Sequence, residues 1–291
     1  MNEFIRPSLL SRVLLPAAKR LPRGSWPLTR WLAQRDPALT DYPVPLRSWP
    51  ERIFRVDLRE PAFQMFFRQG CIPHQMGEER ILLSLIRPGD VVYDVGANVG
   101  YLTVLFCRAV GSSGHVHAFE PSPRAAELLR RSLLDSDPVT VHAVALGEVP
   151  GEVTFYEAEA LNLSSISPPE GGRWQTRSHS VPITTLDRQL TDENVPSLIK
   201  IDVEGHEAQV LKGASELISR HTPLIFFEGL DGSATGDSIE AIRAAASDEY
   251  RFMRSARDGS LVGVDSSLGT NNFLAISRRH EDRVRVLPQT S

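Results

Sequence analysis

A short apolar run at residues 91–95, Val-Val-Tyr-Asp-Val, opens directly into Gly96-Ala97-Asn98-Val99-Gly100, and Leu102, Leu105, Phe106 and Ala109 then recur at helical spacing. A buried strand delivered through a glycine-rich turn into an amphipathic helix is the joint from which open α/β sheets are built. Ligands of such sheets sit in the crevice outside the carboxyl ends of the strands, where the turn lies. Glycine there lets a ligand approach the backbone. The helix beginning near Gly100 turns its first, unpaired N–H groups toward the same place.

The pattern around this joint repeats. Residues 79–86 predict a helix that ends at the breaker Arg87-Pro88-Gly89-Asp90, and 115–119 predict a second strand. Ser122-Pro123 is a capped helix start. Residues 139–146 predict a third strand, 152–156 an antiparallel one, and 161–179 a polar loop. Strands at 198–203 and 224–227 alternate with helices at 207–220 and 238–247, and 250–254 and 272–276 close the set. Strand and helix in alternation imply an α/β fold, a mostly parallel sheet covered on both faces.

Glu120 ends the second strand, 20 residues after Gly100. An acid at that position accepts the ribose hydroxyls of an adenosine group. A dinucleotide fits poorly, because the phosphate fingerprint G-x-G-x-x-G needs glycine where this turn has Asn98. A zwitterionic methionine end, which needs backbone donors and an acidic acceptor such as Asp94, suits the turn better.

The segments VVYDVGANVGYLT, VHAFEPSP, VTVHAVALGE, VPITTLD, LIKIDVEGHEAQVLKGA and PLIFFEG follow one another in that order. Together they closely resemble the FkbM family of S-adenosylmethionine-dependent methyltransferases, over about residues 75–230. The resemblance implies a Rossmann-like, seven-stranded, mostly parallel sheet of the class I methyltransferase type, with one antiparallel strand near its edge. It also implies methyl transfer from S-adenosyl-L-methionine, usually to an oxygen of a small molecule or sugar. Carried onto this sequence, Asp94, Gly96, Ala97, Asn98 and Gly100 hold the methionine portion, and Glu120 with Pro121 the ribose. Residues 1–70 and the 161–179 loop lie outside the resemblance, so acceptor choice is expected there.

A second acidic cluster, Lys200-Ile201-Asp202-Val203-Glu204-Gly205-His206-Glu207, closes the fourth main strand, whose tip faces the same crevice. Asp202 and Glu204, two apart, project to one face while the strand lasts. Asp202 is the leading residue here, beside the sulfonium or the acceptor. Glu204 is either a site residue or a cap of the next helix. An oxygen acceptor must lose its proton, so Asp202, Glu204 and His206 are the candidate bases, with His74 and His179 as weaker ones. Asp202, Glu204, Glu228 and Asp231 also make an oxygen-rich set of the kind magnesium takes. Strand-end carboxylates have simpler uses, and no metal is expected.

Composition bounds the rest. The 291 residues suffice for one large domain plus an appendage, and a net charge of -4 gives no footprint for nucleic acid. Cys71 and Cys107 cannot make a disulfide framework, and no apolar run approaches the ~20 residues of a spanning helix, so a soluble, cytoplasmic protein is expected. Residues 1–35 carry seven basic residues against Glu3, interleaved with leucines, Trp26 and Trp31 and broken by Pro7, Pro16, Pro22 and Pro27. This N-terminal extension, residues 1–70, precedes a catalytic domain at 71–291. Within it, residues 1–35 read first as a loosely packed, solvated segment and second as a weak membrane-surface or partner contact, and residues 37–61 as a linker or short irregular elements. The rival readings of the whole chain are an NAD(P)-dependent oxidoreductase on a similar sheet and a non-catalytic docking protein that retained the fold.

Overall fold

The computed structural model describes residues 6–21, 25–61, 63–158, 164–166, 176–229, 232–246, 249–266, 269–285 and 287–290. The chain divides into two compact units, Met1–Pro73 (with Glu159–Asn162, outside the described residues) and His74–Ala158 with Leu163–Ser291.

In the first unit the basic segment forms two helices, α1 (Leu9–Arg20), with Pro16 inside it, and α2 (Ser25–Ala33). The Ser8 hydroxyl caps α1 by accepting from the Ser11 N–H at 3.2 Å. Residues 37–61, expected to be irregular, instead form an antiparallel pair, β1 (Tyr42–Pro45) and β2 (Ile53–Val56), before α3 (Phe63–Gln69). The period-two pattern that drives it is short: Phe54 and Val56 point inward from β2 and Val44 from β1, and flanking prolines mask the signal. Phe54, Phe63, Phe66 and Phe67 are fully buried and make the core of this unit. The outer face of α1 leaves Leu9, Leu10 and Val13 exposed beside Arg12.

The second unit runs α4 (Met76–Leu85), β3 (Val91–Val95), α5 (Tyr101–Val110), β4 (His115–Phe119), α6 (Pro123–Ser132), β5 (Val139–His142), β6 (Ala145–Leu146), β7 (Gly151–Ala158), β8 (Thr176–Thr184), α7 (Leu186–Gln189) and β9 (Leu198–Ile201). It continues through α8 (Glu207–Lys212), α9 (Ser215–His221), β10 (Leu224–Glu228), α10 (Gly232–Ala245), β11 (Tyr250–Ala256), β12 (Leu261–Val262), β13 (Gly269–Ser277), α11 (Glu281–Val284) and β14 (Gln289–Thr290). One sheet dominates, in the order β14-β12-β11-β13-β10-β9-β3-β4-β5. The strands from β10 to β5 are parallel, and β13 lies antiparallel between β10 and β11. Its seven strands of four or more residues are the Rossmann-like, class I arrangement expected, with the antiparallel strand near the edge. Two additional two-residue strands, β12 and β14, extend that edge to nine.

Three local expectations are corrected. The single strand read over 139–146 is two, because β5 joins the main sheet while β6 pairs with β8 in a separate sheet, β6-β8-β7. The helix read over 207–220 breaks at Gly213, where a side chain would strike the Gly147 carbonyl oxygen at 2.0 Å. The end of the polar loop is a strand: residues 176–179 belong to β8, while 161–163 and 167–175 lie outside the described residues.

Each main strand sorts its side chains by parity. Tyr93, Val95, Ile199, Ile201, Ile225 and Phe227 join Val210, Leu217 and Ile242 in one dry core beneath α8, α9 and α10. The intervening positions face the other way, and there the pattern is broken by charge: Asp94 on β3 and Lys200 on β9 are directly paired in register. No helix among the described residues is long and apolar enough to cross a membrane.

Candidate active site

The carboxyl ends of β3, β4, β9 and β10 bring the glycine-rich turn, Glu120 and the second acidic cluster to one edge of the sheet. The turn itself is held from three sides. The N–H groups of Gly96 and Ala97 both donate to the Phe119 carbonyl at 3.0 Å. Gly96, Asn98 and Gly100 all take positive φ (73°, 50° and 85°). A side chain on Gly96 would lie 1.8 Å from the Asp202 carbonyl oxygen, and one on Gly100 2.0 Å from Leu129 Cδ1. The two glycines are therefore required by the protein's own packing and backbone, beyond the close ligand approach that the sequence suggests.

Glu120 is 6% exposed. Its two oxygens accept from the backbone N–H groups of Asn98, at 2.7 Å, and Ser122, at 2.8 Å. Burial pushes its carboxyl up to about 7, against those two donors, which pull it down. The Ser122 hydroxyl caps α6 by accepting from the Ala125 N–H, and Pro121 sits half-buried between the two. Asn98 Oδ1 is buried without a hydrogen-bond partner among the described residues.

Asp94, expected to face the ligand, is fully buried. It accepts from the Thr103 hydroxyl at 2.6 Å and pairs with Lys200 Nζ at 3.3 Å. Lys200 also donates to the Gly96 carbonyl at 2.9 Å and lies 3.7 Å from Asp202. Burial alone would depress its ammonium; Asp94, Asp202 and Glu78 outweigh that and hold its pKa above the ordinary lysine value. Lys200 has no role among the site residues expected from the sequence. The signal was present: a lysine inside the apolar strand Leu-Ile-Lys-Ile needs a buried anion.

Strand β9 ends at Ile201, so the shared face expected of Asp202 and Glu204 does not come from strand alternation. A tight turn with positive φ at Glu204 (55°) and Gly205 (97°) does the work. Carboxylate oxygens of Asp202, Glu204 and Glu228 lie within 4.8 Å of one another, a set able to hold a metal ion. Asp231 lies outside the described residues. The capping role considered for Glu204 is not seen among the described residues; Glu207 Oε1 accepts from the N–H groups of Val203 (3.1 Å) and Gly205 (3.2 Å) and so braces the turn that leads into α8. Glu204 instead keeps its carboxyl half-buried, pushed up to about 7 by burial and by Asp202 and Glu207. Burial, then Asp202 and Glu204, raise Glu228 to about 8.

His206 is the half-buried N-cap residue of α8 and makes no side-chain capping bond. Its Nε2 lies 3.1 Å from where a side chain on Gly147 would begin, and burial depresses its pKa. His179 sits on β8 against the Phe155 ring, and its Nε2 is buried without a hydrogen-bond partner among the described residues. The side chain of His74 is outside the described residues.

One acid lies ahead of every motif. Glu78, in the first turn of α4, is 9% exposed and feels Asp202, Lys200 and Asp94. Burial and Asp202 raise its carboxyl to about 8. Glu78, Asp94, Asp202, Glu204 and Glu228 thus surround one edge of the sheet with Lys200 as the cation the ion pairs place among them. These acceptors suit a ligand that carries positive charge and are unsuited to a diphosphate.

The profile of the family described as "Methyltransferase FkbM domain" matches residues 94–254, more than half of the chain. Among curated relatives, the hexuronic acid methyltransferase AglP of Haloferax volcanii is 30% identical over 144 residues, covering 48% of this chain and 56% of that protein. The 2-O-methyltransferase NoeI of Sinorhizobium fredii is 29% identical over 169 residues, covering 52% of this chain and 68% of its own. The 31-O-demethyl-FK506 methyltransferase FkbM of Streptomyces tacrolimicus is 28% identical over 162 residues, covering 45% and 62%. The matched stretches therefore span between 56% and 68% of these relatives' lengths.

Proposed function

Because this chain belongs to the FkbM methyltransferase family, we propose that it transfers a methyl group from S-adenosyl-L-methionine to a hydroxyl of a sugar or other small molecule. The observation that carries the reading is the meeting of the Gly96–Gly100 turn, Glu120 and the Asp202-Glu204-Glu228 carboxylates at adjacent strand ends. The relatives' names, one a hexuronic acid methyltransferase and two acting at oxygen, support a hydroxylated acceptor.

S-adenosylmethionine brings the activated methyl group and its own leaving group, so the chain's task is orientation, charge and one proton. The turn and the start of α5 would cradle the methionyl end, and Glu120 has acceptor capacity left for ribose hydroxyls beyond the two backbone donors it already holds. Asp202 lies beside the turn, since its carbonyl packs on Gly96. Glu204, with a carboxyl near neutrality, suits general-base removal of the acceptor proton, with Asp202 next to it as positioner or alternative base. His206 is the third candidate.

Titration calorimetry with S-adenosylhomocysteine, followed by methyl-label transfer to a panel of hydroxylated sugars, tests this. Micromolar S-adenosylhomocysteine binding and label on an oxygen are the expected results. Absence of that binding with retention of NADH would move the chain to the oxidoreductase reading. The exposed Leu9, Leu10 and Val13 beside Arg12 on α1 further support weak attraction of this segment to an anionic surface, each near-surface basic residue contributing ~1 kcal/mol. Co-sedimentation of the full chain with anionic but not neutral vesicles is expected; equal sedimentation with both removes that role.

A further inference from the structure

The first turn of α4 holds two acids with different fates. Glu79 accepts a hydrogen bond from the Tyr101 hydroxyl, which fixes the turn against the first residue of α5. Gly77, just before, is pressed so close to the 256–257 backbone that a side chain would meet the Arg257 carbonyl oxygen at 2.6 Å. Glu78 stands between these two contacts. It is 9% exposed, and no described residue donates a hydrogen bond to it. The Tyr101–Glu79 bond brings this turn of α4 beside Gly100 and the glycine-rich turn, and the charges that act on Glu78 there are Asp202, Lys200 and Asp94.

An unpaired carboxyl this deep is costly unless something positive reaches it. Lys200 acts on Glu78 through its charge, but its direct contacts go to Asp94, Asp202 and the Gly96 carbonyl. Asp94, the acid that the sequence offers for the methionine ammonium, is turned into the protein toward Thr103 and Lys200.

Resting on the cofactor reading above, we infer that Glu78 is a cofactor-binding residue that accepts from the α-ammonium of the methionyl end. The two contacts fix the backbone of this turn, so the hydrogen bond forms with little backbone ordering. Glu78 lies ahead of the family match at 94–254, and the helix read from sequence begins only at residue 79.

The experiment is a cycle between one protein group and one ligand group. S-adenosylhomocysteine and its deaminated analogue, which lacks only the α-ammonium, are titrated calorimetrically into wild type and Glu78→Gln. Wild type should bind S-adenosylhomocysteine at least about tenfold more tightly than the analogue, as expected for a charge-assisted hydrogen bond. Glu78→Gln should lose most of that preference while binding the analogue as wild type does. Glu78→Asp, which keeps the charge but withdraws it by one methylene, should also lose preference, and it serves as second variant should the glutamine protein fail to fold. Full retention of the preference in either folded variant overturns the assignment. Wild type that binds neither ligand overturns the cofactor reading itself, a result distinct from the first.

Discussion

Lys200 Nζ on β9 lies 2.9 Å from the carbonyl oxygen of Gly96, the first glycine of the turn after β3. Through this bond and the ion pair to Asp94 at 3.3 Å, one buried cation holds the turn, the strand that delivers it and the neighbouring strand in a single register. The glycine-rich turn is therefore fixed by a side chain that belongs to the second acidic motif, and the two motifs are one structural unit.

Removing the cation should be expensive. Lys200→Met leaves Asp94 fully buried with no opposite charge, a change that costs about 3–5 kcal/mol when a buried pair loses one partner. Replacing both, Lys200→Met with Asp94→Leu, should recover much of the loss in urea midpoint while leaving S-adenosylhomocysteine binding impaired, because the Gly96 carbonyl has lost its donor. A single variant as stable as wild type would mean that the pair does not hold the turn.

The parts of this site legible in sequence are those written as local punctuation. Gly96 and Gly100 stand at positive φ, Ser122 caps a helix, and Glu120 ends a strand, each next to its own signal in the chain. The parts that were not legible depend on long-range pairing. Nothing local assigns Lys200 to Asp94 across 106 residues, or aims Asp94 inward and leaves Glu78 unpaired above it. Glu204 and Glu207 illustrate the limit at short range: both acids follow the strand, yet Glu207 folds back onto the Val203 and Gly205 N–H groups while Glu204, at positive φ, joins Asp202 and Glu228. In the fold, the long alternating segments were clear, while β6, β12 and β14 are two residues each and carry no periodicity to read.

Glu120→Ala should weaken S-adenosylhomocysteine binding by about 1.5–3 kcal/mol, the worth of hydrogen bonds to a charged group. It also strips the Asn98 and Ser122 N–H groups of their acceptor, so the turn should loosen as well. Glu120→Gln separates the two effects, since it keeps an acceptor for one backbone donor and loses the charge. Calorimetry of both variants, with circular dichroism as a folding control, decides it. Affinity unchanged in a folded Glu120→Ala would take the residue out of the cofactor site.

The unliganded protein should lose stability as pH rises from 6.5 to about 8.5. Glu120 and Glu204, at about 7, and Glu78 and Glu228, at about 8, all have folded pKa values above their ordinary 4.5. The folded state therefore holds protons that the unfolded state has released, and stability falls with pH until the folded values are passed. His117 and His280, depressed to about 4, and His115, His142, His206 and His221, also depressed, act in the opposite sense. Their gain runs up to the unfolded value of 6.5 and fades over roughly the next pH unit, so it partly offsets the decline at first and leaves the carboxyls alone above that. Melting temperature should decline across the window and flatten beyond it, with a shallower slope once S-adenosylmethionine supplies positive charge. A flat or rising profile in the unliganded protein would refute the assignment of these four groups.

The chemistry at the second cluster separates by substitution. If Glu204 is the base, turnover at saturating cofactor should rise with pH through about 7 and level off, because only the ionised carboxylate takes the proton. Glu204→Gln should then cost ~10²-fold or more in kcat and abolish that limb. Asp202→Asn should also slow turnover while keeping much of the cofactor affinity, and it shifts the limb without removing it if Asp202 acts by placing the acceptor. His206→Asn should have the smallest effect, since its ring packs toward Gly147 and it is absent from the set of carboxylates within 4.8 Å. The comparison must be made in kcat, so that weaker binding is not counted as slower chemistry. EDTA in the same assay tests whether Asp202, Glu204 and Glu228 use their closeness to hold a cation. Chelator-sensitive turnover restored by magnesium would make them ligands and free the proton-transfer role for another group. Turnover indifferent to EDTA, with the pH limb lost only in Glu204→Gln, would leave Glu204 as the base.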